Sequence, residues 1–412
     1  MSILNLVFLT LRKMNEKENF LINLAETLHA SGLPAHRLEN AMQEICEVYD
    51  QKMDISATPE LLLLAIQREN GTFTHMRKFG GTELNMQKMG ALYGLIQECK
   101  QKKLTIPVAQ QKLGEIKSIL NPYKKWIEVG STALSTASAA CLFGGNWPEI
   151  LISGIIGLAI GLLVLLLAYF PNLARLAVLF SATFAIIFAQ WSTIFLGNFS
   201  IEIATITGLI LLIPGFSLSL SITELANGHA QSGTVRFSTA VVTFVMIAVG
   251  IALGNQAASF LPKTTFDNNW TSIPEFVRYI ALLLVPAGFM VLFIAPLRYY
   301  LWMLVACGVS YFSIRFFSSI LEGEMAVFFA ALSLAFLSNL LTRKFHLPVT
   351  VMLVPGIILL VPGSIGFKSV SMLVNADTLQ GLEGIFHTLL SATSLTAGLL
   401  FANMLMPSRK VF

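Results

Sequence analysis

The sequence predicts a polytopic α-helical membrane protein: about ten transmembrane helices, arranged as two five-helix inverted repeats, behind an N-terminal cytosolic α+β domain. Three observations predict it. The 412 residues are 55% hydrophobic and 12% charged, with a mean hydropathy of +0.71, far too apolar for a soluble fold. The charge is unevenly spread, since residues 1–125 hold 16 Lys/Arg and 13 Asp/Glu and leave 11 and 10 for the 287 residues that follow. The apolar remainder divides into ten runs, with helix-breaking Pro-Gly pairs at matching places in two groups of five.

In the head, MSILNLVFLTL is too short to span a membrane, and Arg12 and Lys13 follow its apolar run, whereas a signal peptide carries its charge in front. It reads as a peripheral extension, or as an upstream start with Met14 as the natural beginning. Helical periodicity covers 18–31 (Leu21, Leu24, Leu28) and 35–49 (Leu38, Met42, Ile45), with Gly32 and Pro34 as stop and restart signals. MDISAT and ELLLLAIQRENGTFTHMRKF read as strands, the latter a hairpin turning at Asn70-Gly71. Residues 83–101 and 107–119 return to helical spacing, with Pro107 suited to a first helical position.

The head lacks the marks of an enzyme. His29, His36 and His75 lie in different elements, and no phosphate-cradling loop is present. Cys46, Cys99, Cys141 and Cys307 have no CxxC spacing, so neither a metal nor a disulfide framework is expected, and no cofactor. A structural or regulatory domain is the better reading. Its small, interspersed positive excess suits an anionic membrane surface and argues against nucleic acid.

The apolar runs fall near 129–145, 149–170, 174–196, 202–224, 236–256, 277–295, 299–319, 322–342, 347–373 and 383–406. At about 1.5 Å per residue each is long enough for a hydrocarbon core of about 30 Å, the first marginally. With the head inside, Arg175, Arg236, Arg298, Arg343, Lys344, Arg409 and Lys410 fall on the cytoplasmic side, against Lys263, Arg278, Arg315 and Lys368 outside. Both termini are therefore expected in the cytoplasm. The longest inter-span loop, AASFLPKTTFDNNWTSIPEF, separates five spans from five, and an odd number forces related halves into opposite orientations. The predicted organisation is a head over 1–125 and membrane halves over 126–257 and 276–412.

Span four contains LIPG (Leu212 to Gly215), and span nine contains LVPG twice, ending at Gly356 and Gly363. Proline deletes a backbone donor, and lipid cannot satisfy the groups a break frees, so such breaks survive where protein or water replaces the lost bonds. Matched interruptions point to a transport site; the alternative is a packing kink with nothing bound. Pro214, Gly215, Ser217, Ser221, Pro355, Gly356, Pro362, Gly363 and Lys368 are the candidate substrate-binding residues. At helical spacing Thr207, Pro214, Ser217, Ser221 and Glu224 share one face, a stripe of hydroxyls directed at the cytoplasm, although serines also serve close helix packing. Glu224, about 15 Å past Pro214 if helical, is either a proton-coupling carboxylate or an interfacial anchor. With His229 and Arg236 it forms the candidate coupling and gating group. Gln190, Asn255 and Asn339 are placed to bond across helices, and Glu202, Glu322 and Glu324 sit at span ends.

These motifs resemble the threonine/serine exporter family (ThrE-like), and the chain looks like a fused form of its two-subunit YjjP/YjjB-type exporters. The resemblance rests on GLPAHRLENAMQEI and TELNMQKMGALYGLIQECKQKKLTIPVAQQKLGEI in the head, CLFGGNWPEI at the first span and IPGFSLSLSITELANGHAQSGTVR in the fourth. VPGIILLVPGSIGF is similar to the smaller subunit of the split form. Pro214, Gly215, Glu224, Leu225, Gly228, His229, Ser232, Gly233 and Arg236 fit the family pattern, with Glu224 where Asp is usual; the first thirteen residues have no counterpart. The resemblance implies a multi-pass inner-membrane exporter of small hydrophilic metabolites, driven by protons: threonine and serine in one branch, succinate-type dicarboxylates in the other. Its partners would be the lipid bilayer, an amino acid or organic acid, and protons, and a homo-oligomer is compatible with it. A passive channel and a membrane-anchored sensor are the rival classes.

Overall fold

The computed structural model describes residues 15–69, 71–81, 83–102, 104–262, 270–360, 363–374 and 377–407. The opening segment through Met14, together with Asn70, Lys263, Pro362, Arg409 and Lys410, lies outside the described residues. Two compact units meet between Leu120 and Asn121.

The first unit runs α1 (Glu16–Ala30), α2 (Ala35–Val48), β1 (Met53–Thr58), β2 (Leu61–Arg68), β3 (Gly71–Lys78), α3 (Met86–Lys102) and α4 (Ile106–Lys117). The strands form an antiparallel sheet in the order β1-β2-β3, with Met53 opposite Ile66 and Leu61 opposite Lys78. Alternation along β2 sends Leu62, Leu64 and Ile66 into a core shared with Phe20, Leu24, Leu28, Met42, Leu92 and Leu113. Burying each such side chain is worth about 1.5–3 kcal/mol, which is what holds the helices on the sheet. Glu18 closes the first turn of α1 by accepting from Asn15 N, and it also accepts from Arg68 Nε at 2.6 Å, tying that helix to the end of β2. Pro107 stands second in α4, not first, because Thr105 takes the cap position and Ile106 opens the helix.

The second unit comprises α5 (Lys125–Leu142), α6 (Trp147–Leu167), α7 (Ala177–Leu196), α8 (Ile201–Gly208), α9 (Gly215–Ala226), α10 (Ala230–Ala258), α11 (Glu275–Leu292), α12 (Tyr300–Phe317), α13 (Glu324–Phe345), α14 (Thr350–Leu360), α15 (Gly363–Val374) and α16 (Thr378–Leu405). Among the described residues eight stretches are long and apolar enough to cross a membrane: α6, α7, α10, α11, Leu297–Phe317, α13, Thr350–Val374 and α16. The chain is thus a polytopic helical membrane protein. Two of the ten expected runs are not among the eight. The 18 residues of α5 include five hydroxyl side chains, and two of them bond α6: Thr136 Oγ1 donates to Ser153 O and Thr132 Oγ1 to Gly157 O, while Ser153 Oγ donates back to Thr136 O. The fourth run is split between α8 and α9, 8 and 12 residues long, with turns over 209–214. The continuous stripe expected from Thr207 to Glu224 is therefore cut, since Thr207 lies on α8, Pro214 in the turns and Ser217, Ser221 and Glu224 on α9.

In the second half the helix does not break at Pro355-Gly356, contrary to the sequence reading. Both lie inside α14 and are buried. The bare Gly356 lets the Leu334 side chain approach, and its carbonyl accepts from Ser310 Oγ at 2.9 Å, so neighbouring helices pack closely on this turn. Beyond it α14 is described to Leu360 and α15 from Gly363, with 361–362 outside the described residues.

Similar contacts recur in both halves. α7 packs on α10 as α13 packs on α16, α9 on α10 as α15 on α16, and α6 on α8 as α12 on α14. Across the halves, α10 meets α15 and α9 meets α16. Local geometry recurs with them. His229 N donates to Glu224 O at 2.9 Å, and Asp377 N, 148 positions later, to Met372 O at 3.0 Å. A Cβ on Gly233 would lie 2.7 Å from Leu225 Cγ and 2.9 Å from Ser221 O, and one on Gly381 2.6 Å from Leu373 Cγ and 3.0 Å from Ser369 O. Gln190 Nε2 donates to Asn255 Oδ1 at 2.9 Å, and Asn339 Nδ2 to Asn403 Oδ1 at 2.8 Å.

Candidate functional site

The α9–α10 hairpin builds the most strongly charged buried site. α9 ends at Ala226, and the turn passes through Gly228 at φ +86°, a conformation that side chains rarely adopt. His229, half-buried, caps α10, and its backbone N–H returns to Glu224 O. Because Gly233 has no side chain, the first turn of α10 lies directly against Leu225 and the Ser221 carbonyl. That close approach lets two residues of α10 reach back. Ser232 Oγ donates to Glu224 Oε2 at 2.7 Å and Arg236 Nε donates to the same oxygen at 3.0 Å. The Glu224 side chain is 0% exposed and that of Arg236 17%. A carboxylate so buried survives as an ion only with a partner cation and hydrogen-bond donors, and both are present.

The interruption preceding this hairpin is enclosed by protein. Pro214, Gly215 and Gly363 are buried, as are Leu209 and Ile213, which pack in one cluster with Ile156 and with Phe367 of α15. Phe216 packs on the cluster of Leu353, Ile357 and Leu395. On the next turn Thr223 Oγ1 and Thr396 Oγ1 lie 3.1 Å apart, and Thr396 Oγ1 also reaches Ser219 O at 3.4 Å, linking α9 to α16.

Of the expected residues, the structure brings Glu224 and Arg236 into contact and sets the backbone of His229 beside them. Ser217 is half-buried on α9. Ser221 Oγ donates to Leu218 O of its own helix, the packing alternative. Lys368, on α15, is not beside this cluster; its Nζ lies 3.4 Å from Glu202 Oε1 of α8. Pro355 and Gly356 are within α14, and Pro362 lies outside the described residues.

Sequence reasoning missed Ser232 as a partner, and it missed Glu149. The latter accepts from Asn146 N at 2.9 Å, closing the first turn of its own helix, and from Ser200 N at 2.6 Å, at the cap of α8. The N-x-x-E spacing signals the first bond, and nothing in the sequence signals the second, which spans 51 positions. Among the described residues no group of three or more His, Cys, Asp or Glu could hold a metal ion.

Fold and site define the class: a polytopic helical membrane protein with a protein-enclosed helix interruption leading into a buried ion pair. Within it the chain belongs to the threonine/serine exporter family, ThrE. The family profile described as "Putative threonine/serine exporter" matches residues 19–257, and a second, "Threonine/Serine exporter, ThrE", matches residues 278–405. The chain is 21% identical over 398 residues to a "Probable threonine/serine exporter" of Mycobacterium tuberculosis, covering 93% of this chain and 75% of that one. It is 22% identical over 386 residues to "Pheromone-regulated membrane protein 10" of Kluyveromyces lactis and 23% over 383 to that of Saccharomyces cerevisiae, covering 88% of this chain in each case. The chain spans 40% and 49% of the length of these two yeast relatives. No solved structure matches it.

Proposed function

We propose that this chain is a secondary active exporter that moves threonine, serine or related amino acids out of the cytoplasm in exchange for protons. It would lie in the inner membrane with both termini cytoplasmic. Family membership and the name of the mycobacterial relative support the amino-acid branch over succinate-type dicarboxylates. The ten spans would be the eight apolar stretches, α5, and the α8–α9 pair. The recurrence of hydrogen bonds and glycine contacts at 148 positions supports reading the spans as two five-helix repeats, which the odd number turns upside down relative to each other. In that register Pro214 corresponds to Pro362 and Gly215 to Gly363, so the two Pro-Gly pairs are counterparts in sequence. The head over residues 1–125 would be a regulatory cytosolic domain.

The substrate would rest between the two Pro-Gly segments, its carboxylate on amides at the start of α9 and its polar groups near Ser217. Glu224 would bind the coupling proton, with Arg236 and His229 tuning and gating it on the cytoplasmic side. The observation that carries this reading is the fully buried Glu224 with two side-chain donors on one oxygen. Neutralising that carboxylate would weaken both bonds between α9 and α10, which is how proton binding would be linked to helix movement. The test is Glu224→Gln in proteoliposomes loaded with labelled threonine. Accumulation against a gradient should disappear while counterflow persists; accumulation at the wild-type level would refute the coupling role, and wild type that never accumulates would make this a channel.

A further inference from the structure

A second ion pair, on neither arm of the α9–α10 hairpin, joins the two halves of the membrane unit. Lys368 Nζ on α15 lies 3.4 Å from Glu202 Oε1 on α8, and the side chains are 53% and 46% exposed. Glu202 belongs to the helix piece that leads into the interruption of the first half, and Lys368 to the helix that follows the second Pro-Gly pair. Glu202 is in the first turn of α8, which leads into the turns at 209–214, and Lys368 is five residues past Gly363, the first residue of α15, about 7.5 Å along the helix axis. Glu202 is held in place from behind: Ser200 caps α8 by accepting from Ile203 N, and its own N–H is taken by the buried Glu149.

The repeat register shows that this pair does not follow from the duplicated architecture. Shifted by 148 positions, Lys368 corresponds to Leu220 and Glu202 to Thr350, so the equivalent place between α9 and α14 carries no charge. The pair is therefore specific to the face where α8 and α15 meet, the outer face in the orientation proposed above. Half-exposed ion pairs contribute little net stability, so this one separates at small cost. A molecule offering one positive and one negative group could replace both bonds at once. Arg236 is not available for that role, being engaged by Glu224.

We infer that Glu202 and Lys368 form an outer subsite of the transport path, opening to receive the two charges of a zwitterionic α-amino acid, its carboxylate on Lys368 and its ammonium on Glu202. This rests on the transport reading. It also explains selection: a dicarboxylate would satisfy Lys368 but set its second carboxylate against Glu202, a repulsive element directed at the competing cargo.

The experiment is counterflow of labelled threonine and labelled succinate by the full chain in proteoliposomes, for wild type, Glu202→Gln, Lys368→Met and the exchange Glu202→Lys with Lys368→Glu. Expected are a loss of threonine counterflow of about tenfold or more in each single variant, a threonine-to-succinate ratio that falls several-fold in Glu202→Gln, and recovery in the exchanged protein, which keeps both charges. Should a single variant fail to elute as a folded protein, the neutral pair Glu202→Gln with Lys368→Met, which leaves no unpaired charge, takes its place and should show the same loss. Threonine counterflow within twofold of wild type in these variants, or an exchanged protein no better than the singles, overturns the inference. Wild type that moves succinate and not threonine also overturns it, leaving transport intact, and wild type that moves neither removes both readings together.

Discussion

Glu224 and Arg236 sit on consecutive antiparallel helices, and the guanidinium Nε donates to a carboxylate oxygen that Ser232 also holds. Partners of such a buried pair do not tolerate separate removal. Arg236→Met leaves a carboxylate buried without its counter-charge, at a cost of about 3–5 kcal/mol. Glu224→Gln with Arg236→Met should recover part of that loss, because no ion remains to be desolvated. Unfolding of the four proteins in detergent, read as a double-mutant cycle, would give the coupling, and equal stability of Arg236→Met and wild type would contradict the pairing.

Helix crossings should depend on particular glycines. A Cβ on Gly398 would strike the Phe328 carbonyl oxygen, a backbone atom that cannot rotate away, whereas one on Gly308 would meet nothing within 4 Å. Gly398→Ala should destabilise by about 1–3 kcal/mol. Gly308→Ala should be neutral or slightly stabilising, since alanine is the better helix former. The denaturation midpoint of Gly398→Ala should fall below wild type and that of Gly308→Ala at or above it.

The amide pairs offer a test of independence. Asn255→Leu and Asn403→Leu each remove one interhelical bond, Gln190 to Asn255 in the first half and Asn339 to Asn403 in the second. Each should cost about 0.6–2 kcal/mol. Their effects should add in the double variant, because the pairs join different helices in different halves. A marked departure from additivity would mean that the halves communicate through these seams.

In the head, burial pushes the Cys46 thiol up from an ordinary 9.0 to about 12. Because the folded value is raised, the stabilising contribution is complete below pH 9 and is lost as pH climbs from about 9 to 12, where the unfolded chain releases the proton first. Alkylation of Cys46 by iodoacetamide at pH 8 should accordingly be slow in the native protein and fast in denaturant, as mass spectrometry of the labelled peptide would report.

Much of the fold was legible because periodicity is a local signal. The alternation that buries Leu62, Leu64 and Ile66, and the i, i+4 leucines at 24 and 28, identify their elements without tertiary knowledge. The break at Pro214-Gly215 was legible for the same reason. The Pro355-Gly356 pair looked identical and proved otherwise: the helix continues through it, and the residues packed on Gly356, Ser310 and Leu334, come from other spans. The site was legible as residue types and not as contacts. Ser232 finds Glu224 through a turn at Gly228, and Glu202 finds Lys368 from the opposite half, a relationship no spacing rule reaches.

Glu149 grips the backbone at the start of α6 with one oxygen and the cap of α8 with the other. One carboxylate thus welds these two helix ends into a single rigid piece. Whatever cycle the protein undergoes, reporters placed at 146 and 200 should hold a constant separation, a fixed ruler against which the travel of every other span can be gauged.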